Sequence, residues 1–185
     1  MPFFVEVGTC DFDTLDNLAM NGWTGIMVEP VIEYMNKLPK RDNIHYENIA
    51  ISDVKGSVDI HYIDPNEIKH ERDEWMKGIG SINGASGPLS FNRHIERFRN
   101  CKKTTVKTMT LNELCEKYGV TEIDFLKIDT EGHDFVVLST IDLDKIHVRT
   151  IKIEHKHLDQ NLIIEHLKGH NYTVWVETDD IYAIR

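Results

Sequence analysis

The sequence predicts an α/β fold built on an open, mostly parallel sheet of the doubly wound type. Three observations carry that expectation. Short apolar runs such as Phe3-Phe4-Val5, Ile26-Met27-Val28 and Phe125-Leu126-Lys127-Ile128 each close on an acid or a glycine. Segments of helical period separate them, and they carry capping and stop signals. The strands are closely spaced with helix crossovers between them, the arrangement that builds parallel sheets. At 185 residues the chain is read as one domain, 1–185.

Phe3 to Val7 reads as a buried first strand ending at Gly8, and Thr14 to Met20 as a helix stopped by Asn21-Gly22. Thr24 to Glu29 is a second strand closing on an acid, followed by Pro30 and a helix from Val31 to Leu38. Ile44 to Ile51 is expected as a third strand, and Ser57 to Ile63 alternates as a strand with one solvated face. Residues 64–100 lose periodicity and hold Gly78, Gly80, Gly84 and Gly87 with isolated aromatics, which suits either a lid or substrate loop or a floppy insertion. Thr105 to Met109 is extended, and Thr110 to Tyr118 is a helix with the capping box Thr110-Leu111-Asn112-Glu113 and a stop at Gly119. The run Ile123 to Ile128 then breaks into Asp129-Thr130-Glu131-Gly132-His133-Asp134 before a helix to Ser139. Val148 to Glu154 is a further strand, Asn161 to Lys168 a helix stopped by Gly169, and Tyr172 to Val176 with Ile181 to Ile184 a closing hairpin.

Thirty-one acidic against twenty-one basic residues give a formal charge of −10, which argues against a general nucleic-acid or anionic-membrane surface. Cys10, Cys101 and Cys115 are odd in number and widely spaced, so neither a disulfide framework nor a zinc knuckle is expected. No signal-length or membrane-length apolar run occurs, and the expectation is a soluble, cytoplasmic protein. A homo-oligomer remains open.

In open α/β sheets, ligands bind where strands end and helices begin. Gly8 after the first strand would let backbone approach a ligand, and Glu29, closing the second, is placed to accept ribose hydroxyls. A nucleoside-bearing cofactor is implied. The dinucleotide fingerprint lacks two of its glycines, and Glu6, Asp11 and Asp13 would repel a diphosphate but suit a cationic sulfonium. S-adenosylmethionine is therefore favoured over NAD. The competing reading is a tight turn at Gly8, a helix-capping acid at Glu29 and a helix cap at Asp129 or Thr130.

The ordered set Glu6-Val7-Gly8-Thr9, Val28-Glu29-Pro30, Asn48-Ile49-Ala50-Ile51-Ser52-Asp53, Thr110-Leu111-Asn112-Glu113-Leu114 and Phe125-Leu126-Lys127-Ile128-Asp129-Thr130-Glu131-Gly132 resembles the FkbM family of S-adenosylmethionine-dependent methyltransferases. The resemblance implies a Rossmann-like class I methyltransferase fold, with a mostly parallel seven-stranded sheet whose last strand runs antiparallel. It also implies that Glu6, Gly8, Thr9 and Asp11 surround the methionine part of the cofactor, Glu29 the ribose, and Ala50 and Ile51 the adenine. Asp129 would sit beside the transferring methyl group, and the acceptor would be a hydroxyl on a small molecule or glycan. The loop departs from the family pattern at Glu6, Thr9-Cys10 and Phe12, where aspartate, Ala-Asn and a second glycine are usual.

Asp129, Glu131, Glu154, His155 and His157 form a second group. Were the two acidic strands neighbours, Asp129 and Glu154 would share a rim, as general base or as ligands of a hard cation such as Mg2+. His155 is an alternative base. Cys10 reads as a packing residue rather than a nucleophile, and His133 as a helix-start residue. The leading function is O-methyl transfer; the alternative is a methyltransferase-like binding or scaffold domain, suggested by Phe12.

Overall fold

The computed structural model describes residues 1–11, 14–68, 70, 76–82 and 101–185. Its elements are β1 (Phe3–Val7), α1 (Asp16–Met20), β2 (Thr24–Val28), α2 (Ile32–Met35), β3 (Ile44–Glu47), β4 (Ala50–Ile51), β5 (Ser57–Tyr62) and β6 (Gly80–Ser81). There follow β7 (Lys102–Met109), α3 (Leu111–Tyr118), β8 (Glu122–Ile128), α4 (Asp134–Ser139), β9 (His147–Glu154), α5 (Gln160–Gly169), β10 (Thr173–Glu177) and β11 (Asp180–Ile184).

Seven strands form one sheet in the order β10-β11-β9-β8-β1-β2-β3. The pairs β9·β8, β8·β1, β1·β2 and β2·β3 are parallel, while β11 runs antiparallel to both β9 and β10. The class I methyltransferase expectation is met: the last strand inserts in reverse beside the fifth of the parallel set. Strand β1 sits mid-sheet, and its Phe4 and Val5 are fully buried because helices and loops cover both faces.

The main core gathers Val5, Leu114, Leu126, Val137, Ile151 and Leu167, joining the sheet to α3, α4 and α5. A second cluster, with Phe4, Met27, Met35 and Leu38, packs α1 and α2 against the other face. Each fully buried aliphatic side chain contributes roughly 1.5–3 kcal/mol. The predicted capping box is present: the Glu113 N–H donates to Thr110 Oγ1 at 3.1 Å and the Thr110 N–H to the Glu113 carboxylate at 2.8 Å. Gly119 ends that helix in the left-handed region, at φ 64°. Helix α5 departs slightly from expectation, since Gly169 is its last residue and the left-handed position falls at Asn171.

The expected third strand over Ile44 to Ile51 is two strands. Asn48 Nδ2 donates to the carbonyls of Glu29 and Pro30, both at 2.9 Å, and this turn carries the chain out of the main sheet. The second half, β4, pairs instead with β7, which is antiparallel to β5, with β6 beyond it. The 64–100 stretch therefore contributes a strand, β6; Trp75, Gly84, Gly87, Phe91 and Phe98 lie outside the described residues, so the lid reading reaches no further. Among the described residues no helix is long and apolar enough to cross a membrane.

Candidate active site

A cleft with about 610 Å³ of open space, mouth included, lies at the carboxyl ends of β1, β2 and β8. Gly8, Glu29 and Asp129 all line it, so the three strand ends picked out in the sequence converge. Gly8 has φ 82°, and a Cβ there would stand 1.7 Å from the Asp129 carbonyl oxygen. The loop after it is held by N–H donations from Gly8 and Thr9 to the Val28 carbonyl, at 3.0 and 3.2 Å. Cys10 and Glu131, on two walls, both have positive φ without being glycine, at 50° and 52°. Such strained positions concentrate at functional sites.

Glu29 is buried and accepts the Cys10 N–H at 2.8 Å and the Val31 N–H at 2.7 Å. Burial nevertheless pushes its carboxyl up to about 7, against those two hydrogen bonds. The opposite wall is apolar, with Ile49, Ala50, Ile51 and Ile60 beside Tyr34, whose hydroxyl donates to the Ile63 carbonyl at 2.9 Å. His133 also lines the cleft, its Nε2 3.1 Å from Ser52 Oγ.

At the rim, β8 and β9 pair with Ile128 opposite Ile153, so Asp129 and Glu154 leave the sheet side by side. Burial, then the Asp129 charge, pushes Glu131 up to about 7. Burial first, then Asp129, Glu131 and Asp134, pushes Glu154 up to about 9. Asp134 is raised to about 6 by burial although it accepts N–H groups of Thr130 and Gly132, at 2.7 and 2.9 Å. Asp134 thus organises the loop before α4, the role the sequence reading gave to Asp129 or Thr130; the helix's N-cap position falls at His133.

Several expected site residues stand behind the cleft rather than on its lining. Glu6 is fully buried, pairs with Lys127 Nζ at 3.3 Å and accepts the Leu15 N–H. Thr9 is buried with Oγ1 directed at the Val28 carbonyl, and Asp11 pairs with Lys37 at 3.4 Å. These three shape the Gly8 loop. His155 does not line the cleft: its N–H donates to the Asp179 carbonyl, and its Nε2 is buried without a hydrogen-bond partner. The metal-ligating candidates also shift. The groups that gather are Glu131, Glu154 and His157, without Asp129. Burial raises the Cys10 thiol far above the usual thiol range, in keeping with a packing role. Phe12 and Asp13 lie outside the described residues. Sequence reasoning missed Tyr34 and the Ser52–His133 contact, whereas Gly78, Gly80 and Ile82 on the lining come from the stretch read as a lid or substrate loop or a floppy insertion.

This donor set fits S-adenosylmethionine. Gly8 puts bare backbone on the lining and lets the Asp129 main chain close against it, the apolar wall suits a flat adenine, Glu29 offers carboxylate oxygens, and the acidic rim suits a positive sulfur.

No curated protein matches the sequence. A solved structure titled as a fibrillarin/Nop5p complex aligns over 98% of this chain and 70% of its own, at 11% identity and a TM-score of 0.47. The Methyltransferase FkbM domain profile matches residues 6–184, nearly the whole length. A chain with that match, and with a cleft at the strand ends where the family's motifs converge, belongs to the FkbM methyltransferase family.

Proposed function

We propose that this protein is an O-methyltransferase that uses S-adenosylmethionine and modifies a hydroxyl of a small molecule or glycan. Membership of the family implies that cofactor. The observation that carries the reading is the convergence of Gly8, Glu29 and Asp129 on one cleft bordered by carboxylates.

Glu29 would hold the ribose hydroxyls, the Gly8 backbone the methionine part, and the wall at Ala50 and Ile51 the adenine. When bound, S-adenosylmethionine supplies a methyl carbon activated by positive sulfur and open to direct displacement by an oxygen lone pair. Asp129, on the lining, is the group assigned to take the acceptor's proton. Glu154 keeps its own proton up to about pH 9, so at neutral pH it acts as a hydrogen-bond donor rather than a base. The chain mainly contributes alignment.

Isothermal titration with S-adenosylmethionine and S-adenosylhomocysteine, followed by labelled-methyl transfer to hydroxylated acceptors, tests this. Saturable micromolar binding and label on oxygen are expected, with Asp129→Asn lowering turnover about 100-fold and affinity little. Absence of binding at millimolar ligand, or label only on nitrogen, would overturn it. Binding with no transfer to any acceptor would favour the scaffold alternative.

A further inference from the structure

We infer that Glu131, Glu154 and His157 form a binding site for a first-row divalent ion, Mn2+ or Zn2+ in preference to Mg2+, beside the Asp129 rim. One ligand atom from each lies within 4.8 Å of the other two. The three come from separate backbone anchors: the loop after β8, the end of β9 and the turn beyond it. His157 Nε2 stands 3.3 Å from Glu131 Oε2. With metal bonds of roughly 2.0–2.2 Å, neighbouring ligands of a tetrahedral or octahedral ion stand at about that separation.

A second observation is independent of the clustering. Glu154 Oε2 is fully enclosed and has no hydrogen-bond partner. Enclosing an acceptor without a donor costs about 1–3 kcal/mol, and a cation would remove that cost. The donor set decides the kind of ion. Mg2+ and Ca2+ take oxygen ligands, whereas an imidazole among carboxylates suits Mn2+ or Zn2+. Three protein ligands leave coordination positions open for water or an acceptor oxygen. Only that last use rests on the proposed methyl transfer; the binding itself does not.

The test is calorimetric titration of the chelator-treated full chain at pH 7 with MnCl2, ZnCl2 and MgCl2. One equivalent of Mn2+ or Zn2+ is expected to bind, with Mg2+ at least about tenfold weaker, and about one proton released per ion. Glu154→Gln and His157→Ala should each weaken binding about 10- to 100-fold, and His157→Ala should leave S-adenosylhomocysteine binding intact, which separates this failure from failure of the cofactor reading. Should Glu154→Gln not fold, the surface-proximal His157→Ala decides alone. No saturation by about 1 mM Mn2+ or Zn2+, equal affinity for Mg2+, or undiminished binding in His157→Ala would each overturn the site.

Discussion

A side-chain carbon on Gly8 would overlap the main chain of Asp129, since its Cβ would lie 1.7 Å from that residue's carbonyl oxygen. The loops after β1 and β8 therefore meet backbone to backbone on the cleft floor. Gly8→Ala must displace one of them and also strain φ 82°. We expect it to cost about 3 kcal/mol or more, seen as a Tm fall of about 6–12 °C by calorimetry. An unchanged Tm would mean the two loops are not held in contact.

Glu29 should give cofactor binding a pH dependence. Burial raises its carboxyl to about 7 in the folded chain, so below that pH the group proposed to accept ribose hydroxyls is progressively protonated. S-adenosylhomocysteine affinity should fall about five- to tenfold from pH 7.5 to 6. Glu29→Gln should bind more weakly at pH 7.5 and flatten the profile; titration at four pH values checks both.

Glu154 should set an alkaline limit on stability. It ionises near 9 when folded, against 4.5 for an ordinary glutamate, so the folded chain holds the extra proton between those values. Stability accordingly declines as pH rises through that window, and below 4.5 the term vanishes. In chelator-treated protein, Glu154→Gln should melt about 3–6 °C above the parent at pH 9 and match it near pH 4.5. A constant offset across the range would contradict the assignment.

Lys127 and Glu6 are 3% and 0% exposed and stand 3.3 Å apart. Removing only the cation strands a buried carboxylate, so Lys127→Met should lose about 3–5 kcal/mol in urea denaturation. Adding Glu6→Gln to that variant should recover part of the loss. Additive losses in the double variant would show the pair to be uncoupled.

The sequence disclosed those elements whose signals are local. The strands at Phe4, Leu126 and Ile151 are buried on both faces and so read as apolar runs, and Thr110 and Glu113 announce their helix by a four-residue pattern. It hid what depends on distant partners. The break at Asn48 lies inside a segment that reads as one strand and is made by the carbonyls of Glu29 and Pro30. His133 does stand at the start of its helix, as read, but its contact with Ser52, 81 positions away, left no local signal. Glu6 carries the charge of a ligand contact, yet the lysine that claims it lies far along the sequence, opposite it on the neighbouring strand β8. Gly8 was legible as a required glycine; that Asp129 is the reason was not.

The second sheet has a consequence for how acceptor choice can diverge. Tyr62 and Lys102 are cross-strand neighbours, so residues 63–101 depart and return through one rung of β5·β7. Gly78, Gly80 and Ile82 of that excursion face the cleft, while Gly8, Glu29 and Asp129 belong to the other sheet's loops. Within that span Gly80 and Ser81 pair back onto β5 as β6, and lengthening the chain between such fixed points costs little entropy. The span between Tyr62 and Lys102 can thus change in length without moving Gly8, Glu29 or Asp129, so the proposed cofactor half of the cleft and its remaining wall can vary separately.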